Sequence, residues 1–407
     1  MRPLFTKLCV LLLTLPAWGG DRDHAFDGSM SETVLRNYLS RAMTMMESLQ
    51  DGSDNAENIR MFTGCGGKFF GRGVYLWGGE SRLPAKLEEA KLKIEGLHEA
   101  DPDIIVQACI FEIISKDVDR IPVPAWAFED LGLPVETRNF RYDDIIYADG
   151  SGRKWNDRAQ VPDVSRPETK LWFQFLARSY IDIGCEAIHI GQVELMDGHD
   201  PDLAHWSEVL ERMRGYARSR ARRHFLVLDA HVPGGGFLKD GKLLLDFHSF
   251  PARVKEDPGQ PKTGTLEVGH TDALYGRSKG GITPSGWRCD HLPYLVELDN
   301  YGSSRSPGEP GQGQFWVWGW DEITWFSQLP AKDRDAWLRH AWSWVRTHDP
   351  EGYLQMPGAR MISRAPDGKR VYRANNPGDA CPDGYGQEDT IREIWAMDGS
   401  PGPAGAD

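Results

Sequence analysis

This chain predicts an α/β fold of one large domain, a TIM-like (β/α)8 barrel of somewhat irregular form, and three observations predict it. Apolar strand-like runs alternate with helical periods along most of the length; about eight such runs fit one domain; and no Ser/Thr/Pro linker, internal repeat or low-complexity tract divides the 407 residues.

The elements follow in order. After a leader at 1–20, a helix is expected at about 31–50, then a strand near 60–63 and a Gly-rich loop. A charged helix at 83–100 leads into a strand at 104–111. A long irregular region with a strand-like 142–147 follows, then a helix at 166–184 and the strand 186–194. An amphipathic helix at 201–223 feeds a strand at 225–231. Further strands are expected at 243–247, 294–298 and 315–320, before a Trp-rich helix at 331–347. The connections after the fifth and seventh strands are rich in Gly and Pro, so helices are expected to be missing there. An open, doubly wound sheet is the alternative, and in either fold the C-terminal strand ends carry the site. The barrel domain is expected to span 21–348, with 349–407 an extension packed on it.

Composition bounds the partners and the compartment. Arg2 and Lys7, the apolar run Leu8 to Leu15 and the small residues near Ala17, Gly19 and Gly20 fit a secretory signal peptide, so the mature chain is expected to be secreted or periplasmic. The apolar run is too short to span a membrane. The formal charge is −13, and cleavage of the leader makes it more negative by two; nucleic acid and anionic membranes are therefore excluded as partners. Cys109 and Cys185 lie in apolar segments and are expected in the core, whereas Cys65, Cys289 and Cys381 lie in loops where one disulfide is allowed. No CxxC pair or zinc-spaced His cluster occurs, so neither a metal nor a cofactor is expected, and the chain is expected to be a monomer.

Chemistry is carried by two runs, Glu186 to Glu194 and Leu292 to Asp299. Each is an apolar strand that delivers a carboxylate at its end, where an acid is costly to bury unless it is placed for use. In the barrel, Glu194 closes the fourth strand and Glu297 the seventh. Over roughly 58–348 the chain thus resembles, in topology and spacing, the large clan of retaining barrel glycosidases, whose acid/base follows strand four and whose nucleophile follows strand seven. That resemblance implies Glu194 as acid/base and Glu297 as nucleophile in a secreted glycoside hydrolase acting on a poly- or oligosaccharide. The clan usually has Asn just before the acid/base; here Val193 holds that place, and Gln192 shares the face of Glu194.

Gln192, His231, His248, Asp299, Tyr301, Trp318 and Trp320 are the expected sugar-binding residues, since polar groups at strand ends meet hydroxyls and flat rings meet pyranose C–H faces. Glu112, Asp229, Asp246, Asp321 and Glu322 compete for the acid roles. Asp229 and Asp246 each precede a histidine by two residues and, with His189 and His199, offer a second reading, a metal-dependent barrel hydrolase. A third is a sugar-binding barrel without catalysis. Gly64 to Gly67 and Gly234 to Gly236 lack phosphate-loop spacing, and no Gly-x-Ser-x-Gly elbow occurs.

Overall fold

The computed structural model describes residues 22–46, 48–49 and 56–398. The expected signal peptide lies outside them. The described chain is a mixed α/β domain built on one ten-stranded sheet. Its strands are β1 (Ala42–Met45), β2 (Phe69–Val74), β3 (Ile105–Cys109), β4 (Ala187–Gln192), β5 (Val227–His231), β6 (His248–Pro251), β7 (Tyr294–Glu297), β8 (Gly352–Leu354), β9 (Met356–Met361) and β10 (Val371–Arg373). They pair in the order β8-β7-β6-β5-β4-β3-β2-β1-β9-β10, parallel throughout except for the antiparallel β9–β10 pair. Only Gln355 separates β8 from β9, and its N–H donates to the Val296 carbonyl of β7 at 2.8 Å. One segment thus pairs with β7 at its start and with β1 further on.

The longer helices are α1 (Glu32–Leu39), α2 (Ala56–Gly64), α3 (Leu83–Ala100), α4 (Pro167–Asp182), α5 (Ala204–Arg220), α6 (Ala331–His348) and α7 (Glu388–Met397). Each forms for a local reason. Ser31 caps α1 by accepting from the Val34 N–H, and Pro84 opens α3 where its missing N–H costs nothing. Along α5, Trp206, Val209, Leu210, Met213 and Ala217 recur at helical spacing and are the buried face.

The structure corrects several expectations. The expected helix at 31–50 stops at Leu39, and the Met-rich run after it is β1. The expected strand at 60–63 lies inside α2, and 142–147 begins with a short helix, Tyr142–Ile145. Residues 315–320 form a tight turn in which Val317 and Trp320 bridge each other, with Trp318 at φ 53°. Among the described residues, the β5–β6 connection and residues 299–315 after β7 have no helix, as expected, and neither has β6–β7; the short helix Glu322–Gln328 and the expected α6 come later on the way to β8. Residues 352–373, beyond the expected 348/349 boundary, supply β8, β9 and β10 to the same sheet. All five described cysteines are free.

Two layers of side chains fill the inside of the sheet. Ala42, Phe69, Ile105, Ala187, Val227, Phe247, Leu295 and Tyr353, at or next to the strand starts, join Val34, Leu35, Tyr38 and Leu39 of α1 in one buried apolar cluster. Side chains on a strand face the same way every second residue. Two positions further along each strand stand Thr44, Gly71, Gln107, His189, Asp229, Ser249, Glu297 and Gln355, and the side chains among them are polar and buried.

Candidate active site

That second layer is a connected network. A buried polar group without a partner costs about 1–3 kcal/mol, so the layer persists only by internal bonding. Gln107 Nε2 donates to Asp229 Oδ1 at 2.7 Å, and Asp229 Oδ2 accepts from His189 Nδ1 at 2.7 Å and from Ser249 Oγ at 2.8 Å. Arg72 joins the two halves: its backbone N–H donates to Gln107 Oε1 at 3.0 Å, its Nη2 lies 3.1 Å from His231 Nε2, and its guanidinium grips Glu297.

The backbone of β2 makes this possible. Arg72 sits at φ 58° where the register with β3 shifts, which costs about 1–2 kcal/mol in a non-glycine residue and turns its side chain inward. A side chain at Gly71 would collide with the Gln355 amide and lie 3.1 Å from the Met43 carbonyl, so glycine is required beside it.

Glu297 is held from three sides. Arg72 and Arg360 both donate to its carboxylate, and Thr44 Oγ1 donates to Oε2 at 3.2 Å. Burial pushes its pKa up, but the two guanidiniums outweigh burial and hold it well below the usual range. Its side chain is only 2% exposed. Asp299, two residues further out, is 18% exposed; its Oδ1 accepts from Arg360 Nη2 at 2.5 Å and from the Asn300 N–H at 2.8 Å. Arg360 again overrides burial and keeps it ionised. Among the described residues no donor is bonded to its Oδ2.

The fourth strand ends differently. Glu194 lies just past β4, exposed, with Oε1 accepting from the Gly234 N–H at 3.0 Å. Glu194 and Glu297 share no hydrogen-bond partner. Beside Glu194, half-buried Asp197 is pushed up to about 6 by burial and by the neighbouring Glu194 charge. Deeper in, burial raises Asp229 to about 7 and holds His189 well below its ordinary value, with Arg72 and His231 adding to the effect on the histidine. The His189 Nε2 is buried with no partner among the described residues.

Of the expected sugar-binding residues, Asp299, Tyr301 and Gln192 are partly exposed, and His231 is buried against Arg72. Gln192 spends its Nε2 on Glu112 at 2.8 Å. His248 faces away from the interior network, since its neighbour Ser249 faces in; it is fully buried with Nδ1 3.0 Å from Ser278 Oγ, and burial lowers its pKa to about 3. Trp318 and Trp320 are buried, so they offer no open ring face; Phe315 and Trp77 are the exposed rings. Asp246 is spent on Arg214 and the Leu228 N–H, Asp321 caps the short helix after β7, and Glu322 accepts from the Val254 and Asp299 N–H groups. Among the described residues, no group of three His, Cys, Asp or Glu side chains is arranged to hold a metal ion.

Sequence reasoning missed Thr44, Arg72, Gln107, Asp197, Ser249 and Arg360. One signal was present: Arg72 and Arg360 each interrupt an otherwise apolar, glycine-bearing run, where a charge needs a partner.

No family model and no curated protein matches the chain. Among solved structures it is similar to a debranching enzyme of Nostoc punctiforme, at 12% identity over 92% of this chain and 81% of that one, with a TM-score of 0.47. It is also similar to the cyclic α-maltosyl-(1→6)-maltose hydrolase of Arthrobacter globiformis (12% identity, 92% and 77% covered, TM-score 0.41). A third likeness is the glycoside hydrolase domain of PelA from Pseudomonas aeruginosa (12% identity, 71% and 94% covered, TM-score 0.31).

Proposed function

We propose that the sheet closes into a (β/α)8 barrel, with 352–361 as its eighth staff, and that the chain is a retaining glycoside hydrolase acting at the C-terminal strand ends. The observation that carries this reading is Asp299: an ionised carboxylate held by Arg360 at the end of β7, partly open to solvent, with one oxygen unengaged. The role expected of Glu297 passes to it, because both Glu297 oxygens are already taken up by Arg72, Arg360 and Thr44. Glu297 is a positioning residue that sets the two guanidiniums.

In this reading Asp299 Oδ2 attacks the anomeric carbon while Glu194 gives its proton to the leaving oxygen. Glu194, then a carboxylate, takes a proton from water, and the resulting hydroxide displaces Asp299 with the starting configuration restored. This requires the two carboxyl groups about 5 Å apart once substrate is bound. The placement after strands four and seven supports the assignment, and export through the leader belongs to the same proposal.

Turnover of plant, algal and bacterial polysaccharides by the purified mature chain tests it, beside Glu194→Gln and Asp299→Asn and with EDTA as a further condition. Loss of cleavage by about 100-fold or more in both variants, indifferent to EDTA, is expected. Activity that survives either variant removes that residue from the mechanism, and loss in EDTA moves the chemistry to a metal. Proton NMR of the first-released sugar reads retention directly.

A further inference from the structure

Beyond the catalytic carboxylates, a second charged group faces the same rim. Arg253 follows β6, whose last residue Pro251 pairs with Glu297, and the Asp299 charge acts on its guanidinium. Glu322 fastens the two loops together, accepting from the Val254 N–H at 3.0 Å and the Asp299 N–H at 3.1 Å. The Arg253 side chain is 10% exposed, and three rings surround its guanidinium: Phe315 at 5.2 Å, Phe250 at 5.3 Å and Tyr301 at 5.4 Å from the ring centroids. Phe250 in turn packs edge-on against His231 at 5.5 Å, so this cage adjoins the catalytic network.

Its bonding is incomplete. Arg253 Nε donates to Asp272 Oδ1 at 2.6 Å, but Nη1 is buried and has no partner among the described residues. A buried guanidinium N–H left unpaired is costly, and a guanidinium stacked among rings remains a donor suited to an oxyanion. Asp272, Glu322 and Asp299 are the acids that face it; the first two are already bonded to Arg253 Nε and to backbone N–H groups. Phe315 is the exposed member of the cage, 44% open.

We propose that Arg253 binds an anionic substituent on the sugar next to the scissile bond, making the substrate an acidic glycan, with a uronic acid carboxylate as the group received by Nη1. This rests on the hydrolase reading for its placement beside the scissile bond, but the binding step is testable alone. A sugar hydroxyl accepts one bond from this donor, whereas a carboxylate accepts it with the opposite charge and makes the stronger, charge-assisted bond.

The experiment uses the mature chain with three ligands measured by calorimetry and by reducing-end release: a polyuronate, the same polymer after reduction of its carboxyl groups to alcohols, and a sulfated neutral glycan. Carboxyl reduction keeps every linkage and removes only the charge. Binding of the polyuronate at least 10-fold tighter than of its reduced form is expected, with Arg253→Met abolishing the difference and Arg253→Lys keeping part of it. Because Arg253→Met also removes packing, Phe315→Ala serves as a second variant that opens the cage from the solvent side; it is expected to weaken the polyuronate more than the reduced polymer. Tighter binding of the sulfated glycan, lost in Arg253→Met, keeps the anion site and assigns sulfate in place of carboxylate. Equal binding of charged and reduced polymers by the wild type, or no binding of any at millimolar concentration, overturns the proposal. Arg253-dependent binding without cleavage of any polymer overturns the hydrolase reading and leaves the anion site standing.

Discussion

The same eight strand positions build two layers two residues apart, and the layers obey opposite rules. The lower layer, Ala42 to Tyr353 under α1, is apolar and packs by contact alone. The upper layer is polar apart from Gly71, and Thr44, Gln107, His189, Asp229, Ser249 and Glu297 in it each bond a side chain from a different strand. An apolar layer tolerates exchange of one hydrophobe for another of like volume. A polar layer does not, since removing one member strands the next. The lower layer therefore makes the domain stable, and the upper one spends stability on placing charge, which is the usual sign of a functional site.

That contrast breaks most visibly at Arg360. Arg360→Met leaves Glu297 and Asp299 with one cation fewer in a buried site; a loss of about 3–5 kcal/mol in urea unfolding is expected, together with a fall in kcat in the fraction still folded. Phe69→Ala in the lower layer is expected to cost a similar 3–5 kcal/mol while kcat per folded molecule stays within about two-fold. If the two variants behave alike in kcat, the layers are not functionally distinct.

Asp229 sharpens the comparison through pH. Burial raises its folded pKa to about 7 from 3.8, with the Ser249 bond and Arg72 opposing. The folded state then keeps a proton that the unfolded chain has released, so this group lowers stability as pH climbs from about 4 to about 7 and has no further effect above. Asp229→Asn is expected to remove that part of the slope, leaving the similar contributions of Asp321 and Glu322, both raised to about 7 by burial. An unchanged slope in thermal melts from pH 4 to 8 would show that Asp229 is ionised when folded. Smaller effects follow at the rim: Thr44→Val removes one bond to Glu297 and is expected to cost about 1 kcal/mol. Glu194→Gln, exposed and bonded to one N–H, is expected to change stability by no more than about 0.5 kcal/mol.

The lower layer was the more legible of the two. Helices α3, α4, α5 and α6 fall within a few residues of their expected bounds because their apolar periods and caps are local. The strands β3, β4 and β5 that follow the first three of them, and β7, are mainly apolar runs and were equally plain. β1 and β2 were not: one is Met-rich and continues a helical pattern, the other is broken by Gly71 and Gly73, so both depend on pairing with distant strands. Two false strands, at 60–63 and 142–147, took the places of these two, which is why Glu194 and Glu297 still fall at strands four and seven. β9, with Pro357 and Gly358 in it, was missed, and the aromatic run at 315–320 took its place.

The upper layer was legible only in part. Glu194 and Glu297 have the same local signature, an apolar run ending in an acid, yet one ends in water and the other beneath two arginines. What separates them is Arg72, 225 residues before Glu297, and Arg360, 63 residues after it. No window along the chain contains that information. His189, Asp229, His231 and Asp299 were visible as polar residues in apolar strands; that Asp299 rather than Glu297 keeps solvent access follows from where the guanidiniums land.

Residues 352–361 also bear on how the chain is made. Because this segment pairs with β7 at one end and β1 at the other, two strands formed early and late in synthesis both wait for it, and until it leaves the ribosome each presents unpaired backbone groups. A nascent chain stalled before residue 352 carries two unpaired edges and almost the whole apolar lower layer, so a chain truncated there is expected to aggregate rather than fold to a smaller working protein.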